Sequence, residues 1–242
     1  MIKITAKTND RIKHLKKLLD DKSYRYEQKL FAVEGLRALE GIPEVQEIFI
    51  REDAEGPRVQ SLKAYTVANS VFDGVSSTEH SQGVIAVTKL NLLSADTVKK
   101  SGRYILLDRL QDPGNMGTII RAACAFGVSG VIITPGCADP FSPKVVRAAA
   151  SALWKLDIIS VTGVEELEGF HIIAADLEGE TLNGFKWPES FVLAIGNEAQ
   201  GLSREIKSVS AQRLRIPISG SINSLNAAVS AGILLYSSST GA

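Results

Sequence analysis

Three loops in the second half of the chain concentrate side chains that could bind a ligand or help a reaction. The first lies in LLDRLQDPGNMGTIIRAACAFG, residues 106–127, where an apolar strand ends near Asp108. The turn DPGNMG follows with Asn115, and Arg121 comes about one turn into the predicted helix. A guanidinium beside a helix N-terminus forms an anion site that suits a phosphate. The alternative is that Asn115 is a turn residue and Arg121 a surface salt-bridge partner, because both are common.

The second loop lies in FVLAIGNEAQGLS, residues 191–203, where an apolar strand runs directly into Gly196. A glycine there permits a close backbone approach that a side chain would block. Glu198 follows the carboxyl end of the strand, the place where ligands sit in α/β sheets. The alternative is that Glu198 caps a helix, because an acid near a helix N-terminus stabilises it by about 0.3–1 kcal/mol.

The third loop lies in RIPISGSINSLNAAVSAGILLY, residues 215–236. A short strand ends at Ile216, Pro217 limits further ladder pairing, and a helix is predicted to start near Ser224. Small residues of this helix let another backbone come close. Tight packing of a C-terminal helix would explain the alanines, but it would not explain a polar cluster formed by Ser221, Asn223, Ser224 and Asn226.

These loops belong to a regular pattern that begins at Arg103. Apolar segments alternate with helical stretches; the segments are Tyr104–Leu107, Val131–Thr134, Asp157–Val161, His171–Ala175 and Phe191–Ile195. This alternation predicts an α/β domain with a mostly parallel sheet, whose ligand lies at the carboxyl ends of the strands. Ser142 and Pro143 predict the N-cap and first position of a helix that runs to about Trp154.

Residues 1–90 have a different pattern of apolar and charged residues. A basic amphipathic helix is predicted over 9–19, with one apolar face formed by Ile12, Leu15, Leu18 and Leu19. Short apolar runs predict the strands of a small α/β domain: Leu30–Val33, Ile48–Ile50, Ala64–Val67 and Val84–Val87. The polar stretch 91–102 is predicted to be the linker to a second domain, 103–242.

The bulk composition predicts an ordinary globular protein of the cytoplasm. Hydrophobic residues make up 45% and charged residues 22% of the chain. No run approaches the roughly 18 apolar residues that a membrane span needs, and MIKITAKTND lacks the apolar segment of a secretion signal. Cys124, Cys137 and three scattered histidines have no metal-type spacing, so we expect reduced thiols and no metal.

Positive charge is confined to one end of a chain whose net charge is zero. Residues 1–29 hold nine Lys or Arg against four acids, whereas residues 41–100 hold six against eight. A basic end of this kind could contact nucleic-acid phosphates. A solvated helix face explains the same charges equally well.

Taken together, in order and spacing, the three loops resemble the SpoU (TrmH-like) family of RNA ribose methyltransferases. The family's first motif is an asparagine with a glycine two residues on and an arginine six residues on, here Asn115, Gly117 and Arg121. The second motif appears as GNEAQG and the third as IPISGSINSLNAAVSAG, so the resemblance spans about residues 103–236. The phrases RIKHLKKLL and FAVEGLRALE resemble the family's small α/β substrate-binding domain.

The resemblance implies a homodimer that transfers a methyl group from S-adenosylmethionine to a ribose 2′-hydroxyl, with ribosomal RNA as the favoured substrate. The parallel-sheet domain would carry a deep trefoil knot near its C-terminus, a rare exception to unthreaded topology. The cofactor would bind inside the knot, near Leu177, Ala194, Gly196, Ile216, Ser219, Ser224 and Leu225. Motif residues of one subunit would complete the site of the other.

The resemblance also implies roles for the polar residues. Arg121 would either act as a base or grip an RNA phosphate and orient the ribose; we favour positioning, because free arginine stays protonated up to a pKa above 12. Asn115 and Asn226 would hold the ribose or Arg121, while Ser224 and Glu198 would fix the loops near the cofactor. The basic N-terminal segment would contact phosphates through Lys13, Lys16, Lys17 and Arg25.

Three other interpretations stay open. One is a tRNA substrate in place of ribosomal RNA. Another is a non-catalytic RNA-binding or ribosome-assembly protein that kept the fold, although such a protein would be expected to have lost Arg121, Asn115 or the cofactor loops. The last is a nucleotide enzyme of the doubly wound type, which the absence of a phosphate-binding glycine fingerprint disfavours.

Overall fold

The computed structural model describes residues 2–55, 61–220 and 223–240, so Ser221 of the third loop lies outside the described residues. Strands form in both halves of the chain. In chain order they are β1 (Ile2–Ile4), β2 (Leu30–Glu34), β3 (Val45–Arg51), β4 (Ser61–Val67), β5 (Val84–Lys89), β6 (Leu93–Ser94), β7 (Arg103–Leu107), β8 (Gly130–Ile133), β9 (Asp157–Ser160), β10 (Ile172–Thr181), β11 (Phe191–Ile195) and β12 (Gln212–Arg215).

Helices connect most of these strands. They are α1 (Asp10–Asp20), α2 (Lys22–Gln28), α3 (Leu36–Leu39), α4 (Asn69–Phe72), α5 (Pro113–Ala125), α6 (Pro143–Ala149), α7 (Arg204–Val209) and α8 (Ala227–Thr240). Short 3-10 turns cover Ala95–Thr97, Ala150–Trp154 and Val164–Leu167. The predicted strands and the basic helix of the first half are therefore present, with bounds that differ by a few residues.

The chain forms two compact units, and the first contains residues 1–91 together with 139–154. Its sheet has the order β1-β4-β3-β5-β2, in which β5 runs antiparallel to both of its neighbours. Helix α1 covers this sheet with the apolar face predicted from its periodicity, and Leu15 and Leu18 on that face are fully buried. Asn9 caps the helix, since its side chain accepts a hydrogen bond from Arg11 N at 2.9 Å.

The second unit contains residues 92–138 and 155–242 and is built on a parallel sheet of order β12-β10-β11-β7-β8-β9-β6. Strands β7 and β11 lie side by side in its middle and read as continuous apolar runs, as expected for strands covered on both faces. This confirms the predicted α/β class. The stretch predicted to be a linker contributes β6, which pairs with β9 at the edge of the sheet.

Segment 139–154 packs with the first unit, although the sequence pattern placed it in the second domain. Phe141 and Trp154 lie against Phe31, with ring centroids 5.0 and 5.7 Å apart, and Trp154 Nε1 donates to Ala38 O at 2.8 Å. The single helix predicted over 142–154 is α6 followed by a 3-10 turn. The break falls at Ala150, whose positive φ of 50° an α-helix cannot contain.

Arg25 forms a buried ion pair with Asp139, the first residue of this segment. Its predicted role as an RNA contact therefore has to be corrected. Its side chain is 4% exposed and forms an ion pair with Asp139 at 2.6 Å. The same guanidinium donates to Leu18 O at 2.8 Å and Leu19 O at 3.1 Å, and Tyr26 Oη donates to Asp139 at 3.2 Å. A buried, fully paired guanidinium cannot reach a phosphate, so this prediction is wrong.

The other basic candidates lie on the solvent side of α1. Lys13, Lys16 and Lys17 are all exposed. Lys13 pairs with Asp10 at 3.3 Å and Lys17 Nζ lies 5.2 Å from the centre of the Tyr24 ring, both weak contacts at a surface. Their contact with RNA stays a prediction.

Within residues 2–55, 61–220 and 223–240, no helix is long and apolar enough to cross a membrane. In the same ranges, no group of three or more histidine, cysteine, aspartate or glutamate side chains could hold a metal ion.

Candidate functional site

Helix α5 begins earlier than the sequence suggested, and this changes the position of Arg121. Asp112 is the N-cap and accepts a hydrogen bond from Asn115 N at 2.7 Å, so the helix already includes Pro113 and Asn115. Arg121 therefore lies eight residues, or about 12 Å, from the helix start. The proposed anion site between Arg121 and this helix N-terminus is wrong. Arg121 is exposed, and among the described residues its side chain forms neither a hydrogen bond nor an ion pair.

One chain of hydrogen bonds joins the three loops. Asn115 Nδ2 donates to Glu198 Oε1 at 3.0 Å, and Asn226 Nδ2 donates to Asn115 Oδ1 at 3.0 Å. Asn226 Oδ1 in turn accepts from Ala228 N at 2.9 Å, which makes Asn226 the cap of α8. Helix α8 therefore starts at Ala227, three residues after the predicted start. The two asparagines bind each other, Asn115 also binds Glu198, and neither of them binds Arg121.

Glu198 belongs to the second loop and holds the first loop in place through hydrogen bonds. Besides Asn115, it accepts hydrogen bonds from Asp112 N at 3.2 Å and Gln111 N at 3.4 Å. Burial raises the pKa of this carboxyl, but the donors outweigh that effect and hold the pKa below its ordinary value. The helix that follows is capped by Ser203. Glu198 is thus a bridge between two loops, and the helix-cap alternative is wrong.

Replacing Glu198 with glutamine should loosen this bridge. The amide side chain can accept through one oxygen only, so one of the two main-chain donors loses a charge-assisted bond. We expect the hydrogen-exchange protection of the Gln111 and Asp112 amides to fall about tenfold.

The effect should depend on pH, because a lowered carboxyl pKa stabilises the bridge above the ordinary glutamate value. The difference between wild type and Glu198→Gln should shrink as the pH falls through the lowered pKa. Equal protection of the two amides in both proteins at neutral pH would contradict the bridging role. Glu205→Gln, an exposed change on α7, is the matched control.

Gly196 is required by the backbone of its own loop. A Cβ at this position would meet Gly201 C and Leu202 N at 2.2 Å. The close approach arises because Asn197 and Gly201 form a small antiparallel bridge, with hydrogen bonds of 3.0 and 2.9 Å. Asn197 Nδ2 also donates to Arg109 O at 2.9 Å. The predicted close approach is confirmed, and the partner is the chain itself.

Asp108 is a site residue that the sequence reasoning did not single out. It is 2% exposed and accepts hydrogen bonds from Ser203 N at 2.6 Å and from Thr134 Oγ1 at 3.2 Å. Arg109 Nε lies 3.4 Å from the same carboxylate. Asp108 thus ties the end of β7 to the ends of β8 and of the second loop. The sequence signal that could have identified Asp108 is an acidic residue directly after an otherwise apolar strand.

A cavity of about 410 Å³ opens at the carboxyl ends of β10, β11 and β12. Its lining contains most of the residues predicted to bind a cofactor: Leu177, Gly196, Ile216, Ser224 and Leu225, with Glu198 beside them. Two predicted residues are absent from the lining. Ala194 is fully buried within β11, and Ser219 is exposed in the third loop.

The lining also contains residues that the sequence reasoning did not single out, among them Ile218, Asp176 and Lys207. Ile218 lies two residues beyond Ile216, so the spacing of the two isoleucines could have indicated it. Asp176 follows the predicted end of a strand at Ala175, the same signal that pointed to Glu198. The volume and the mixture of apolar side chains with a few polar groups suit a nucleoside-sized ligand.

Two family models match the chain. The one described as the SpoU rRNA Methylase family matches residues 102–236, which contain all three loops. The one described as the MRM3-like substrate binding domain matches residues 9–86 of the first unit.

Individual proteins are similar over nearly the whole chain. The 23S rRNA (guanosine(2553)-2′-O)-methyltransferase RlmP of Bacillus subtilis is 31% identical over 98% of both chains. The SpoU methyltransferase AviRb of Streptomyces viridochromogenes, solved in complex with AdoMet, has a TM-score of 0.85 and 27% identity over 95% of this chain and 97% of its own. An AdoMet-bound rRNA methyltransferase of Sinorhizobium meliloti has a TM-score of 0.86 and 27% identity over 98% and 96%.

Proposed function

The chain belongs to the SpoU rRNA methylase family, and from this premise we propose that it transfers a methyl group from S-adenosylmethionine to a ribose 2′-hydroxyl of ribosomal RNA. The observation that carries the proposal is the hydrogen-bonded chain from Glu198 through Asn115 to Asn226, which joins the first motif loop to the two loops that line the cavity. The name of the RlmP relative supports the ribose and the ribosomal substrate.

The cavity residues fit the cofactor. Leu177, Ile216 and Leu225 offer apolar surface for an adenine ring, and Gly196 allows the second loop to fold back on itself beside them. Main-chain N–H and C=O groups of the second and third loops would hold the polar edges of the adenosine. When bound, S-adenosylmethionine supplies a methyl group already activated on a sulfonium, so the protein has to align the ribose and accept the hydroxyl proton.

We infer that one chain does not assemble this site alone. Arg121 stands on the exposed surface of α5 and is absent from the cavity lining. We therefore propose a homodimer in which Arg121 of a second copy meets the RNA bound at the cavity and positions a phosphate. Helix α8 offers a face for the dimer, because Val229, Ile233 and Tyr236 form a stripe that is 51%, 36% and 58% exposed.

Val229→Glu should convert the dimer to monomers, since a charge in a desolvated apolar interface is costly. Sedimentation velocity of the full chain would measure the change. Leu36→Glu is the control, because Leu36 is another exposed apolar residue (40% exposed) and lies in the first unit. This variant should have the same mass in solution as the wild type. A wild-type monomer at micromolar concentration would contradict the dimer.

We propose that the first unit binds the RNA. Its match to a substrate-binding domain and the exposed Lys13, Lys16 and Lys17 support phosphate contacts there. A ribosomal substrate also favours the cytoplasm as the place of action. The trefoil knot implied by the family resemblance stays a prediction.

The test is transfer of labelled methyl groups from S-adenosylmethionine to RNA. Purified protein would be incubated with ribosomal RNA and with tRNA, and the product hydrolysed in alkali. A 2′-O-methyl group protects the adjoining phosphodiester, so the label should remain in a dinucleotide from ribosomal RNA. Label in mononucleotides would indicate base methylation, and label only in tRNA would reverse the substrate assignment. Cofactor-independent RNA binding without transfer would favour the non-catalytic assembly protein.

A further inference from the structure

A bulge in β10 turns two side chains toward the cofactor cavity. Ala175 and Glu180 both pair with Leu214 of β12, so residues 176–179 are looped out of the ladder. Gly179 makes the bulge possible, because a Cβ there would meet Arg213 C at 2.5 Å. Bulges next to active sites characteristically re-aim a side chain. Here the bulge brings Asp176 into the cavity lining beside Leu177.

Asp176 is a buried acceptor that the chain does not fully use. Its side chain is 7% exposed, and one carboxylate oxygen accepts from Glu178 N at 3.2 Å. The other oxygen, Oδ2, lies 2.8 Å from Lys207 Nζ and 3.9 Å from Arg213 Nη1. Among the described residues, the Lys207 ammonium pairs with Oδ2 by charge, at an angle unlike that of a hydrogen bond, so Oδ2 keeps the capacity to accept from a further donor. Buried polar atoms without a hydrogen bond are rare, and such an atom in a cavity wall points to a ligand.

The charges around Asp176 indicate which kind of ligand group fits. Burial raises its pKa, but Lys207, the Glu178 N–H and Arg213 together hold the pKa below the ordinary value, so the group is an anion. Lys207 also lines the cavity and already balances this anion. A further cation would face the Lys207 ammonium, whereas a hydroxyl can donate to Oδ2 without disturbing the charge balance.

Other groups of the cavity are less suited to this task. Glu198, the other carboxylate in the lining, is engaged by Asn115 and by two main-chain N–H groups. The lining also contains neutral polar side chains, such as Gln200, Asn223 and Ser224, but none of these is an anion. S-adenosylmethionine carries hydroxyl groups only on its ribose. A buried carboxylate oxygen that can accept a further hydrogen bond, beside the apolar side chains of the lining, matches that sugar.

Resting on the proposed function, we propose that Asp176, oriented by Lys207, accepts a hydrogen bond from a ribose hydroxyl of the bound cofactor. Asp176 thereby selects a ribonucleoside cofactor and fixes its rotation within the cavity. Lys207 is a positioning residue in this arrangement, since it acts through Asp176.

Calorimetric titration of the full chain with S-adenosylhomocysteine and its 2′-deoxy and 3′-deoxy analogues tests the assignment. Asp176→Ala should weaken binding of S-adenosylhomocysteine about tenfold, the loss of one charge-assisted hydrogen bond. One of the two deoxy analogues should bind wild type and variant with equal affinity, because the contact is already gone. Lys207→Met should weaken the parent ligand less than Asp176→Ala does.

The controls separate this inference from the proposed function. Glu205→Ala, on the same helix as Lys207, should bind every ligand as the wild type does, and Asp176→Asn offers an isosteric variant if the alanine variant fails to fold. An equal loss of affinity for all three ligands in both Asp176 variants would overturn the ribose contact while leaving the function intact. No binding of S-adenosylhomocysteine by folded wild type would overturn both.

Discussion

Replacing Arg121 with alanine should lower methyl transfer to the RNA substrate by about 100- to 1000-fold and leave cofactor affinity unchanged. The two effects separate because Arg121 lies on the exposed surface of α5, outside the cavity lining. A planar guanidinium grips a phosphate through two parallel hydrogen bonds, and a misplaced ribose cannot meet the methyl group in line. Single-turnover methylation and calorimetry on the same preparation would measure both quantities.

Arg121→Lys distinguishes charge from geometry. Lysine keeps the positive charge but lacks the fork, so it should recover only a small part of the lost activity. Arg204→Ala removes an exposed arginine from α7 and should methylate at the wild-type rate. Near-normal turnover by Arg121→Ala on the confirmed RNA would reject both the positioning role and the role as a base.

Replacing Arg25 with methionine should destabilise the first unit by about 3–5 kcal/mol. The change leaves Asp139, with 7% of its side chain exposed, without its cation, and it removes the donors that serve Leu18 O and Leu19 O. A buried charge without a partner is among the most costly defects that a single substitution can create. Urea unfolding, followed by tryptophan fluorescence of Trp154, would measure the loss.

A second substitution tests the cause. Asp139→Asn in the Arg25→Met background should restore part of the stability, since it removes the uncompensated charge. Lys3→Met breaks the exposed pair with Glu52 and should cost less than about 1 kcal/mol. If Arg25→Met costs no more than Lys3→Met, the buried pair does not hold segment 139–154 in place.

The central strands could be predicted from the sequence, because strands buried on both faces need only apolar side chains. Ile105, Leu106 and Leu107 are fully buried in β7, as the pattern required. The ends of helices were less predictable. Gly114 and Gly117 predict a turn, whereas Asp112 and Pro113 carry the stronger signal of an N-cap followed by proline, and the structure follows that signal.

Positions that depend on tertiary contacts could not be predicted at all. Nothing in the local sequence of Arg25 distinguishes a buried ion pair from an exposed basic residue, since the distinction depends on Asp139, more than a hundred residues away. The bulge in β10 depends on its register with β12, so the sequence pattern ended that strand at Ala175 and left Asp176 unnoticed. The three motifs, in contrast, were recognised correctly because their order and spacing are properties of the sequence itself.

The place of segment 139–154 in the first unit also limits how the two units can be exchanged between related proteins during evolution. Because the first unit is assembled from 1–91 and 139–154, the chain crosses between the units at three points. A recombination event at residue 91 would give the new protein a foreign partner for Phe141 and Trp154, whose rings lie against Phe31. Where the foreign partner offers no matching apolar surface, those rings would face water and promote aggregation. A substrate-recognition unit with this connectivity can be exchanged between relatives only if both of its pieces move together.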